Sequence, residues 1–123
     1  MSGSLDGAVR AHAAGSLAAG AAAELLIAGA WPDRDDFAGR FVTVTAGPGT
    51  GLAVAVVDWP AAAGALGSSL ACSGGEQRML RITASLAAGI PVDLRETVTG
   101  LDGRNARLVA DAVLHASGHR DAR

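Results

Sequence analysis

Phe41-Val42-Thr43-Val44-Thr45 and Leu52-Ala53-Val54-Ala55-Val56-Val57, joined through Ala46 by Gly47-Pro48-Gly49-Thr50-Gly51, decide the fold class. β-Branched residues alternate with smaller or polar ones along the two runs, and the connection is rich in residues that accept turn conformations. The combination reads as a β-hairpin over about 40–46 and 52–58. Gly47 to Gly51 does not qualify as a phosphate-binding loop, because such a loop ends in lysine plus Ser or Thr and opens a helix, whereas this one runs into Leu52-Ala53-Val54. Outside the hairpin the periodicities are helical. The expected fold is therefore α+β: a mostly helical single domain with one hairpin and a C-terminal three-helix unit.

A chain of 123 residues has room for one core. Half of its residues are apolar, but so many are alanine that burial has to come from close approach of helices or from a partner. Residues 1–10 read as a flexible lead-in, 11–118 as the domain and 119–123 as a flexible end. The net charge of −2 divides unevenly, with three arginines against six acids in residues 1–75 and seven against six in residues 76–123. That balance is far from the basic stripe of a protein whose affinity is mainly for phosphate backbones, so nucleic acid is a disfavoured partner. Lysine and tyrosine are absent and all ten basic residues are arginine, which reads first as the codon bias of a GC-rich genome. The single Cys72 forms no internal disulfide and fits a reducing cytoplasm. The apolar stretch 13–30 makes a poor membrane span or signal segment, because Glu24 sits inside it and its apolar residues are mostly Ala and Gly.

Ser16 is placed to cap a helix running to Ala28 and stopping at Gly29, with Trp31-Pro32 fixing the exit. That helix is apolar all round save Glu24, as expected of a central core helix or a seam between protomers. Asp33-Arg34-Asp35-Asp36 reads as the acidic first turn of a short helix rather than a cation site. Asp58-Trp59-Pro60 ends the second strand and starts another helix, which stops at Gly67. Trp31, Phe37, Phe41 and Trp59, all the aromatics of the chain, are expected to form one core cluster.

Ser73 and Glu76 make a capping box for a helix over 74–88, with Met79, Leu80, Thr83, Leu86 and Ala87 inward and Gly89-Ile90-Pro91 as its stop. Asp93 caps a short helix ending near Thr99. Asp102 caps the last one, with Leu108, Val109, Ala112, Val113 and Ala116 inward, Gly118 as terminator, and Arg107 and Asp111 spaced to pair on the outside.

Ser73-Gly74-Gly75-Glu76-Gln77-Arg78 also resembles the signature of ABC-type ATPases, in which the serine and glycines at a helix start contact a nucleotide held by the opposite subunit. The resemblance covers about a tenth of the chain. The phosphate-loop lysine and the strand ending in Asp-Glu are missing, so capping accounts for these residues and no nucleotide or other cofactor is expected. Cys72-Ser73-Gly74-Gly75-Glu76, Leu80-Arg81-Ile82, Pro91-Val92-Asp93-Leu94-Arg95, Thr99-Gly100-Leu101-Asp102 and His115-Ala116-Ser117-Gly118 together resemble small uncharacterised proteins of GC-rich actinobacteria. That likeness implies a cytoplasmic bacterial protein and no particular activity.

Two glycines directly after a cap are unfavourable, up to about 1 kcal/mol each, and imply a close approach at this helix start. Gly74, Gly75, Arg78 and Arg81 are therefore the candidate partner-binding residues. An alternative reading makes 93–117 a helix-turn-helix, with Arg104, Asn105 and Arg107 opening a recognition helix. Asp93, Glu96, Asp102 and Asp111 on the same elements would repel phosphates. His115 and His119 have metal-sharing spacing, but Gly118 breaks the helix between them and no further ligand is apparent. Ser117 lies near both histidines without a nucleophile turn or a positioned acid, so no catalytic residue is assigned. The expectation is a non-enzymatic module that binds another protein or itself, as a homo-oligomer, without metal or membrane.

Overall fold

One helix organises the molecule. The computed structural model describes residues 4–47, 49 and 51–119, and at its centre lies α2 (Leu17–Ala28), preceded by α1 (Ser4–Ala13). Ser16 caps α2 by accepting the Ala19 N–H at 3.2 Å. Because α2 is apolar all round save Glu24, it is buried on two opposed faces rather than one. Ala23 and Leu26 enter a cluster with α1, the hairpin and the aromatic residues, while Ala21 and Leu25 enter a second with α5 (Gly74–Ala88) and α7 (Gly103–Ala116). Alanine at these positions lets neighbouring helices come close. The helix is thus a core element of its own chain, and the seam between protomers is not needed to bury it.

The chain leaves α2 through an exchange of the usual glycine and alanine roles. Gly29 has an ordinary φ of −84°, and the left-handed position falls on Ala30 at φ 60°. Glycine is required at 29 because a Cβ there would lie 2.8 Å from the indole of Trp31, which is buried. A left-handed alanine is strained by about 1–2 kcal/mol. Ala30→Gly is therefore expected to raise the melting temperature and Gly29→Ala to lower it, opposite signs at adjacent positions that thermal denaturation reads directly.

Trp31–Asp33 form a 3-10 turn, followed by α3 (Asp35–Phe41), β1 (Val42–Ala46), β2 (Ala53–Val57) and α4 (Trp59–Ala65). The strands pair antiparallel, Val42 opposite Val57 and Ala46 opposite Ala53. The hairpin starts later than its residues imply: Arg40 and Phe41 belong to α3, and Asp58 caps α4 by accepting the Ala61 N–H. The reason is packing. Phe41 is drawn into the aromatic cluster, where Phe37 contacts Trp31, Phe41 and Trp59 at ring-centroid distances of 5.3, 5.5 and 6.5 Å.

After α4 come α5, α6 (Leu94–Val98) and α7. The capping box of α5 is complete in both directions, and Gly89 takes the left-handed position at its end. Both α5 and α7 pack chiefly on α2, and α6 on α5. Among the described residues every buried side-chain nitrogen and oxygen has a hydrogen-bond partner, the threonines included: Thr83 donates to the Met79 carbonyl at 2.7 Å and Thr97 to that of Asp93 at 2.8 Å.

Two expectations are corrected. Residues 4–10 are not a loose lead-in: they begin α1, whose Ala8 and Val9 are buried against β2 and α2, and whose Arg10 makes a two-pronged ion pair with Glu24 at 2.9 and 3.1 Å. Tertiary burial outweighs the low helix propensity of Gly7. Val113 does not face inward; it is 57% exposed, because the face of α7 that meets α2 is centred on Ala112. The expected flexible end falls on 120–123, outside the described residues, save His119, whose N–H reaches the Leu114 carbonyl at 2.9 Å.

Candidate functional site

Gly74, Arg78 and Arg81 do converge. With Gln77 they form one wall of a groove of about 380 Å³, and the α5–α6 connection and α6 supply the other through Pro91, Val92, Asp93, Glu96 and Thr97. The guanidinium of Arg78 lies between two glycines. A Cβ on Gly74 would touch its Nη1 at 3.4 Å, and one on Gly100 would collide with its Nε. Gly75 takes no part in the groove and has open space where a side chain would be, apart from the Ser73 hydroxyl at 4.0 Å. The close approach implied by the glycine pair is thus met at 74 by an arginine of the same helix, and no other backbone reaches 75. With two arginines opposite two acids, the groove is nearly neutral and suits a polar, hydrogen-bonding partner surface better than a phosphate.

The alternative trio does not share a face. Asn105 is half-buried on the side of α7 that carries Ala112, whereas Arg104 and Arg107 lie on an exposed flank with Asp111. Arg104 also donates to the Ala28 carbonyl at 3.4 Å, at the end of α2. A recognition helix needs its first side chains aimed together into a groove; here the amide and the guanidiniums diverge. Arg107 and Asp111 do not pair, whereas Arg10 with Glu24 and Arg34 with Asp36 and Glu76 do.

Around the junction of α4 and α5, two arginines that drew no attention as sequence act as clamps. Arg34 lies 4.5 Å over the Trp31 ring, donates to Asp36 at 3.0 and 2.6 Å, to the Ala71 carbonyl at 2.7 Å, and reaches Glu76 at 3.4 Å. Arg40 holds the carbonyl and hydroxyl of Ser69 at 2.9 and 2.8 Å. Glu76 thus serves twice, as partner of Arg34 and as acceptor of the Ser73 N–H at 2.8 Å. The hydrogen bonds and charge of Arg34 hold the Asp36 carboxyl below the usual carboxylate range. Cys72, beside them, is pushed up by burial and then by the negative charge of Glu76, so it stays a thiol at neutral pH.

The depressed folded value at Asp36 means that its contribution is present above the unfolded carboxylate value and lost as pH falls through the folded one. Replacing Arg34 by glutamine is expected to lower the melting temperature at neutral pH. The melting-temperature gap between wild type and variant should narrow as the buffer is taken below about pH 4.

A wider cavity of about 450 Å³ opens at the α1–α2 turn, lined among others by Arg10, Ser16, Leu17, Gly20, Glu24 and His115. The Nε2 of His115 would lie 3.3 Å from a Cβ on Gly20, so glycine makes room for the imidazole between α2 and α7. Glu24 was visible as the lone charge of an apolar helix, but its partner Arg10 lay in a segment read as unstructured. His119 turns to the Ser117 hydroxyl at 3.2 Å. Among the described residues no group of three or more His, Cys, Asp or Glu side chains is placed to hold a metal ion, and no helix is long and apolar enough to cross a membrane.

The exposed flank of α7 is more apolar than its role in the core demands. Around the helix from Ala112, the half-buried Val109 is followed by Val113, Ala106 and Ala110, all exposed, and then by Leu114. Arg104, Arg107 and Asp111 occupy the opposite flank. No protein family, curated protein or solved structure matches the chain.

Proposed function

We propose that the protein is a non-enzymatic protein-binding module of the bacterial cytoplasm that docks on another protein or on a second copy of itself. The observation that carries this reading is the run of exposed apolar side chains along α7, continuous through Val109 with the packed core. Isolated exposed apolar residues are ordinary, but a contiguous stripe flanked by charges is what a docking face presents. The groove of Gly74, Arg78 and Arg81 is the second contact we assign, with its arginines and acids as a polar rim. Gly75, open to its surroundings, gives a partner access to the start of α5.

Affinity capture of the tagged protein from its own cell, beside light scattering of the purified chain, tests the reading. A stoichiometric partner or a dimer is expected, weakened by Val113→Asp or Arg81→Glu at surface positions where the fold tolerates change. A strict monomer that captures nothing refutes it.

A further inference from the structure

The hairpin has one open edge. β1 pairs only with β2, and four of its five residues, Thr43 to Ala46, are exposed. The phase of its hydrogen bonds follows from the pairs that flank it: Asp58 N–H donates to the Phe41 carbonyl and Gly47 N–H to that of Leu52. In an antiparallel ladder bonded positions alternate. Residues 41, 43, 45 and 47 therefore turn their backbone groups toward β2, and 42, 44 and 46 turn theirs outward. The N–H of Val42 is taken by the Ala38 carbonyl at the end of α3. The N–H and C=O of Val44, the N–H of Ala46 and the C=O of Val42 face away from the hairpin, with no hydrogen-bond partner among the described residues.

Val44 is uncovered as well. It shares a sheet face with its cross-strand partner Ala55, which is 2% exposed beneath α1, yet Val44 itself is 51% exposed because α1 packs chiefly on β2. The edge carries none of the devices that keep strands apart: Val42-Thr43-Val44-Thr45-Ala46 has no charge and no proline.

We infer that β1 pairs antiparallel with β1 of a second copy about a two-fold axis at Val44, joining two hairpins into a four-stranded sheet. This deepens the self-association allowed by the protein-binding reading and rests on it. The strand is its own complement in this register. Val44 meets Val44 of the partner subunit and exchanges two hydrogen bonds with it; the N–H of each Ala46 donates to the Val42 carbonyl of the other copy, which makes four bonds in all. On the opposite face each Thr43 meets a Thr45 at a non-hydrogen-bonded site, a favourable cross-strand pair. With no charge on either strand, nothing repels about the axis. The same edge is used by both copies, so the assembly closes at two.

The test is sedimentation equilibrium of the whole chain across a range of concentrations. Wild type is expected to reach twice the 12.1 kDa of one chain. Val44→Pro removes two of the four bonds and leaves the hairpin's own bonds intact, since the Val44 N–H points outward; the dimer dissociation constant should rise about tenfold or more. Val44→Lys sets two like charges against each other across the axis and should act in the same direction without altering backbone donors. Circular dichroism of both variants should match wild type. The inference is overturned if wild type stays monomeric, or if a dimer persists with unchanged affinity in a folded Val44→Pro and in Val44→Lys. A monomer that still captures a partner through α7 would sink the strand pairing and leave the protein-binding reading standing.

Discussion

Replacing Phe37 by alanine is expected to lower the free energy of unfolding by about 3–5 kcal/mol. The ring has no exposure at all and is the common neighbour of Trp31, Phe41 and Trp59, so its removal opens a cavity that three large, fixed rings cannot collapse into. A domain of this size has about 5–15 kcal/mol to lose, and the variant would sit near the threshold of folding at 37 °C. Urea titration should show a lower midpoint with the slope nearly unchanged, because the unfolded chain exposes almost the same surface. Phe37→Leu, which refills most of the volume, should recover more than half of the loss; equal losses for the two substitutions would mean that the ring is not packed as described.

Leu26→Ala should come next, at about 2–5 kcal/mol. Leu26 is 1% exposed on the face of α2 that meets the aromatic cluster, and in an alanine-rich helix it is one of few side chains large enough to fill the space there. The comparison that gives the number meaning lies on the same helix. Leu17 is 54% exposed, and Leu17→Ala should stay within about 0.5 kcal/mol of wild type. Chemical denaturation of the two variants side by side separates burial from helix propensity, since Leu and Ala have almost the same propensity.

What could be read from sequence was what depends on near neighbours. Ser16, Asp58, Ser73, Asp93 and Asp102 each accept the N–H three residues on, and each marks its helix start unaided. The gathering of Trp31, Phe37, Phe41 and Trp59 was legible because four aromatics in a chain otherwise rich in alanine have few other places to go. α1 was not legible, since Gly7 weakens it locally and its stability comes from β2 and Glu24, far along the chain. The orientation of α7 was missed at Val113 for a related reason: Val109, Ala112, Val113 and Ala116 fit one helical face, and only the position of α2 decides which edge of that face is covered.

The site was legible only in part. Gly74, Arg78 and Arg81 meet in one groove, but Arg34 and Arg40 entered the sequence reading only as charge. Besides Asp36 and Glu76, their partners are backbone carbonyls and a hydroxyl about thirty to forty residues away, and no local spacing announces such bonds. Gly100, whose bareness admits Arg78, lies between the ends of two helices, where nothing in the local sequence announces that contact.

The burial of α2 on two opposed faces, one under α1 and the hairpin and the other under α5 and α7, also sets a timetable for synthesis. An apolar helix made early must wait for the last part of its second cover, Ala112 and its neighbours, until α7 has been polymerised. At ribosomal rates that is an interval of about 5–15 s, spent with Ala21 and Leu25 incompletely sheltered. The newborn chain is therefore at its stickiest until α7 has emerged, and holdase chaperones at the tunnel exit should find it in that window.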